Sequence, residues 1–254
     1  MVKFGLVTDV HHFRHGRDLT APMRDFVEEM NQRFHPNFVV GLGDFYGGGE
    51  FYSIEKDLRE ITEIFRSCES PAYCLLGNLD ACSDGGRQGF KEAVEIEYDW
   101  LSFDEGDFHF ILLDGAWTGK DEPISPENLP DHPLGNHVGH IPEGEVRWLR
   151  KDLAATENRT IIFCHYPIKV GVDKNSLDNE EEVVELFEKS GKVIAVFTGH
   201  GHCFKYKKVN RIHYLMIQAM GDWETFGSYV KVSLKDDELR IKLEKMPLSY
   251  TLKL

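Results

Sequence analysis

The chain has 254 residues, with 29 Lys+Arg against 43 Asp+Glu and a formal net charge of −14. An apolar share of 41% with 28% charged residues excludes wholesale disorder, and the length suffices to bury a core without staples. The acidic balance argues against a general nucleic-acid binder, which presents a basic face to phosphates. Bound metal ions could still bring local positive charge to a phosphate substrate.

The N-terminal residues enter a strand pattern at once, over Lys3–Thr8, which ends at Asp9. No leader peptide is expected, and no apolar run of about 18 residues suggests a membrane span. Leu19–Arg33 follows at helical spacing, with Met23, Phe26, Val27 and Met30 on one face. Phe38–Leu42 reads as the second strand, ending at Gly43-Asp44. Ser53 is placed to cap a helix over Ile54–Arg66, whose apolar face is Ile54, Leu58, Ile61 and Phe65. Strands are expected next at Ala72–Leu76, ending at Gly77-Asn78, and at Phe108–Leu113, ending at Asp114. Such short runs rich in Val, Ile and Phe suit buried strands.

Residues 115–142 differ, being rich in Pro, Gly, His and acids without periodicity. A stretch of that length is more often a functional lid than a connector. Beyond it, helices Glu143–Ala154 and Asn179–Lys189 alternate with strands Thr160–Cys164, ending at His165, and Val193–Thr198, ending at Gly199-His200. After Cys203, the runs Phe204–Val209, Ile212–Gln218, Ser228–Leu234 and Glu238–Leu243 are joined by short turns, which favours antiparallel pairing. The alternation implies an α/β architecture with two sheets and outer helices, in one domain over residues 1–254. The five cysteines, Cys68, Cys74, Cys82, Cys164 and Cys203, are odd in number and form no CxxC pair. They read as reduced structural thiols of a cytoplasmic protein, Cys203 as a buried one.

Asp9, His11, Asp44, Asn78, His165, His200 and His202 all follow strands. The carboxyl ends of strands in such sheets form the ligand crevice, so these side chains are expected to converge. Mixed oxygen and imidazole donors suit Mn, Fe or Zn. One ion would take Asp9, His11 and His202, and the other Asn78, His165 and His200. Asp44 is placed to bridge them. Paired ions about 3.5–4 Å apart clamp a phosphoryl group and acidify a water for attack.

The series Asp9-x-His11, Gly43-Asp44, Gly77-Asn78-x-Asp80, His165 and Gly199-His200-Gly201-His202 resembles the calcineurin-like metallophosphoesterase superfamily, in order, from about Met1 to His202. Within it, the Gly-rich stretch before Trp148-Leu149 and the His165-Tyr166-Pro167-Ile168 turn look most like the ADP-ribose/CDP-alcohol diphosphatase and purple-acid-phosphatase-like branches. The resemblance implies a four-layer αββα sandwich of two mixed sheets flanked by helices. It also carries two divalent metal ions onto the seven residues named. One departure stands out. Relatives place His after the motif Asn, where it contacts the substrate phosphate, and this chain has Leu79.

The resulting expectation is a metal-dependent phosphoesterase acting on a small phosphorylated substrate, a phosphodiester or diphosphate before a monoester. The alternatives are a phosphomonoesterase and a non-catalytic metal-binding scaffold on the same fold. His137 and His140, in the irregular stretch, are candidate proton donors in place of the missing His. His12 is a candidate substrate contact, weighed with His15 against solvated loop histidines. Phe45, Tyr46, Trp223 and Phe226 could each stack a flat group or simply pack.

Overall fold

The structure is a computed structural model that describes residues 1–47, 54–83, 85–125, 128, 138–171, 176–235 and 237–254. Two six-stranded mixed sheets lie face to face with helices outside them. The first sheet has the order β12-β11-β10-β1-β2-β3, in which β1 (Val2–Val7), β2 (Phe38–Gly41) and β3 (Ala72–Cys74) run parallel. β10 (Val230–Lys235), β11 (Glu238–Leu243) and β12 (Leu248–Lys253) extend it antiparallel. The second sheet has the order β4-β5-β6-β7-β9-β8. Here β5 (Phe108–Leu113), β6 (Arg159–Cys164), β7 (Val193–Thr198) and β9 (Ile212–Met216) are parallel, with β4 (Leu101–Glu105) and β8 (Lys205–Val209) antiparallel at the edges.

Strand alternation builds the layers. In β5, Phe108, Phe110 and Leu112 join one buried cluster while Ile111 and Leu113 join another. The first cluster lies between the sheets. There the Phe4 ring stacks on Phe38 at 5.2 Å and meets Phe163 and Phe197 edge-on at 5.5 and 5.7 Å. Offset and edge contacts of this kind add about 0.5–1.5 kcal/mol per pair beyond the area they bury. The second cluster takes the helices. Leu58, Ile61 and Phe65 of α2 (Ile54–Arg66) are buried in it, as are Met23, Phe26 and Val27 of α1 (Thr20–Glu29).

The helix expected over Leu19–Arg33 ends differently, in a π-turn over Met30–Phe34 closed by His35 at φ 49° before Pro36. α3 (Asn78–Ala81) and α4 (Gly86–Val94) were not anticipated, nor were β4 and β12. Antiparallel pairing after Cys203 holds for β8 with β9 and for β10 to β12, but β9 itself joins β7 in parallel. α5 (Glu143–Ala155) and α6 (Glu180–Ser190) fall where the pattern put them, with Asn179 bonding both ways to the backbone of Ile141. Ser53 lies outside the described residues. All five cysteines are free, and Cys203 is exposed rather than buried. Among the described residues, no helix is long and apolar enough to cross a membrane.

A buried histidine couples this fold to pH. His109 places Nδ1 2.7 Å from Asp104 and Nε2 2.8 Å from Asp152, so the imidazolium satisfies both carboxylates. Burial pulls its pKa down, but the hydrogen bonds to Asp152 and Asp104 outweigh that and raise it. With the folded pKa above the unfolded value of about 6.5, the stabilisation is complete below that value. It is lost as pH rises through the folded pKa. The melting temperature of the native chain is therefore expected to fall relative to His109→Gln as pH is raised from the acidic side of that range. Parallel melting curves for the two proteins would contradict the assignment.

Candidate metal centre

The candidate ligands come from five strand ends of the two sheets. Asp9 and His11 follow β1, Asp44 follows β2, Asn78 opens α3 after β3, His165 follows β6, and His200 and His202 follow β7. Hydrogen bonds zip these ends together. Asp9 N donates to Gly43 O and His11 N to Asp44 O, both at 3.0 Å, and Gly199 N donates to His165 O at 2.9 Å. Asp9, His11, Asp44, His200 and His202 all adopt positive φ, between 48° and 65°. Left-handed backbone at non-glycine residues costs about 1–3 kcal/mol each and gathers at functional sites. Gly43 at φ 99° provides a similar turn without a Cβ, in space where one would lie 2.8 Å from the His165 ring.

Two groups of three metal-compatible side chains result: Asp9, His11 and His202, and Asp44, His165 and His200. In the first, Asp9 Oδ2 accepts from Thr8 Oγ1 at 2.7 Å and from His200 N at 2.8 Å. Its Oδ1 is buried without a hydrogen-bond partner, 3.3 Å from His202 Nε2 and 3.7 Å from His11 Nε2. The two Nε2 atoms are themselves 2.9 Å apart. In the second, His165 Nδ1 donates to Leu42 O at 2.7 Å, which leaves Nε2 with its lone pair. That atom faces Asn78 Oδ1 and His200 Nδ1, both at 3.2 Å, and Asp44 Oδ2 at 3.6 Å. Carboxylate, amide and imidazole lone pairs converging in a buried cleft are the donor arrangement of a cation site.

The electrostatics agree. Burial pushes the Asp44 carboxyl well above the usual range, and the nearby Asp80 and Asp9 charges push it further. Burial also raises Asp9, but the facing His202 and His11 outweigh it and hold that carboxyl well below the usual range. Burial lowers His165 to about 4, keeping its imidazole neutral. Burial opposes protonation of His202 too, yet Asp9 and Asp222 outweigh it and lift the pKa to about 10. The negative potential that holds a proton there also attracts a metal ion, and the two compete for one lone pair.

Two further carboxylates support the ligands: Asp222, which lies outside the sequence motifs, and the motif residue Asp80. Asp222 places both carboxylate oxygens 3.1 Å from His202 Nδ1, which orients Nε2 inward. It lies 20 residues from His202 and belongs to none of the spacing motifs. Asp222→Asn is expected to lower metal affinity or activity about 10–100-fold, the usual cost of losing such a partner. Unchanged metal content and activity would show that His202 is oriented by other contacts. Asp80 is fully buried and accepts from the backbone N–H groups of Asp44 (2.7 Å), Tyr46 (3.0 Å) and Gly77 (3.1 Å). Leu79 is half-buried, and its N–H donates to Asp44 Oδ1 at 2.9 Å. The Asp80 carboxylate thus fixes the loop carrying Asp44.

The remaining candidates lie elsewhere. His12 is buried, not solvated, and its Nδ1 accepts from Leu19 N at 3.2 Å, while His15 is exposed. His140 has Nε2 3.0 Å from Asp121 and Nδ1 on Asp178, so both ring nitrogens clamp the irregular stretch. With both nitrogens engaged, His140 would donate a proton to a leaving group only by giving up one of these carboxylates. His137 lies outside the described residues. Phe45 is fully buried against Phe65, and Tyr46 is buried, which settles the packing reading for both.

The chain belongs to the calcineurin-like phosphoesterase family, whose model matches residues 2–204. It is similar to a probable cyclic nucleotide phosphodiesterase of Pseudoalteromonas sp. (strain SM9913), with 35% identity over 77 residues. That match covers 27% of this chain and 30% of the relative, so less than a third of the relative's length is spanned. A dimetal phosphatase from Danio rerio shares the fold with a TM-score of 0.79 and 16% identity, over 99% of this chain and 98% of its own. GAP50, the anchor in the inner membrane complex of Plasmodium, shares it with a TM-score of 0.64 and 13% identity, over 100% and 88%.

Proposed function

We propose that the chain hydrolyses small phosphodiesters at two divalent ions, Mn, Fe or Zn, in a reducing, cytoplasmic setting. Asp9, His11 and His202 would hold one ion, and Asn78, His165 and His200 the other, with Asp44 between them. The observation that carries the reading is Asp9 Oδ1, buried without a hydrogen-bond partner beside His202 and His11, together with His165 Nε2, which Asn78, His200 and Asp44 surround. Ions bound there supply Lewis acidity toward the phosphoryl oxygens. The protein's own part is positioning. Asp80 and the Leu79 N–H aim Asp44, Leu42 O sets the His165 tautomer, Asp222 aims His202, and Thr8 aims Asp9.

The probable cyclic nucleotide phosphodiesterase similar to part of this chain supports the diester class. Leu79 supports a diphosphate as the second reading, because a phosphate leaving group departs with less help from a proton donor. A scaffold role, of the kind named for the GAP50 anchor, would not require the donor set kept here. The test is a substrate panel with added Mn: cyclic nucleotides, linear diesters, nucleoside diphosphate esters and monoesters. Turnover of diesters or diphosphates is expected. A strong preference for simple alkyl monoesters, or no turnover of any ester by metal-loaded protein, would overturn the reading.

A further inference from the structure

The segment after β9, which reaches the candidate centre through Asp222, carries an indole that the core does not use. Trp223 is 76% exposed, more than any other large apolar side chain among the described residues. It directly follows Asp222, whose carboxylate lies 3.1 Å from His202. The backbone before it is tied to the β1 end, with Met220 N donating to Thr8 O at 2.9 Å and Gly221 N to Asp9 O at 3.0 Å. The segment is therefore anchored to the same residues that hold the first donor group. Arg17 donates to Gly221 O and sets its guanidinium 4.9 Å from the indole centroid. A cation over one face orients the ring, and the high exposure leaves the rest of the indole to solvent. Phe226, 40% exposed, lies three residues further along the same segment.

An exposed indole, braced by a cation and fixed one residue from an outer support of the metal centre, is a platform for a flat group. We propose that Trp223, held by Arg17, stacks the base of a nucleotide whose phosphate occupies the metal centre. This rests on the phosphodiesterase reading above and adds to it what selects the organic half of the substrate. Stacking is sequence-tolerant because every base offers a π-face, so the platform favours nucleotides as a class over sugar phosphates. It acts on binding and not on bond cleavage, and its loss should appear in KM before kcat.

The experiment is calorimetric binding of AMP and of ribose 5-phosphate to Mn-loaded protein, native, Trp223→Ala and Trp223→Phe. Trp223→Ala is expected to bind AMP about tenfold more weakly, within the range that base–aromatic stacking spans. Its affinity for ribose 5-phosphate should stay as in the native protein, and Trp223→Phe should recover most of the AMP affinity. Equal AMP affinity in native and Trp223→Ala protein would overturn the proposal, as would an equal loss for ribose 5-phosphate. Failure of the phosphodiesterase reading would look different: no diester is turned over, while the AMP difference between native and Trp223→Ala protein persists.

Discussion

Asp44→Asn is expected to remove phosphoesterase activity by more than about 10²-fold, beyond the loss of an outer partner of a metal ligand, and to lower bound metal at the same time. The substitution keeps the shape of the side chain and removes its charge. Burial and the charges of Asp80 and Asp9 already favour the neutral form of this carboxyl in the protein itself. The fold should therefore tolerate Asn, and the variant should melt no earlier than native protein treated with chelator. Metal content and turnover measured on the same preparation decide the matter. Native metal content with native activity in the variant would remove Asp44 from the site.

Gly77→Ala should produce a similar loss without touching a ligand. A Cβ at this position would lie 2.0 Å from Asp44 Oδ1 and 2.3 Å from Asp44 N. The backbone at Gly77, with φ −94° and ψ 172°, is open to any residue, so the obstacle is close approach and not strain. A backbone nitrogen cannot step aside cheaply, and Asp44 would be displaced. Misplacing a reacting centre by about 1 Å can cost on the order of 10²-fold in rate, and overpacking a closed site costs about 1–3 kcal/mol of stability. Kinetics and melting of the variant check both effects. Native kcat with native metal content would show that the loop holding Asp44 yields to a methyl group.

Much of this site was legible because strands are short, apolar and period-two, and each ends on a conspicuous polar residue. Asp9, His11, Asp44, Asn78, His165, His200 and His202 could be placed on one edge by that rule before any geometry. What escaped has identifiable physical causes. Asp222 reaches His202 through tertiary folding of the segment after β9, so no local spacing marks it. β4 and β12 are edge strands whose faces are partly or largely exposed, which blurs the apolar signal. The π-turn after α1 preserves helical spacing in sequence while changing the hydrogen bonding. His140 reads as a proton donor from its residue type and its place in the irregular stretch. Its pairing with Asp121 and Asp178, 19 and 38 residues away, is invisible without the fold. Phe45, Tyr46, Trp223 and Phe226 each admit stacking or packing from the sequence, and the fold separates them by burying Phe45 and Tyr46 and leaving Trp223 and Phe226 exposed.

The central claim is that two ions share this donor set, and metal stoichiometry of the native chain measures it most directly. Protein purified without chelator, supplemented with Mn and freed of excess ion, should carry two metal ions per chain by elemental mass spectrometry, and its diester turnover should vanish on chelation and return with Mn. A chain that retains no ion, or that keeps its turnover after its metal has been removed, would contradict the account.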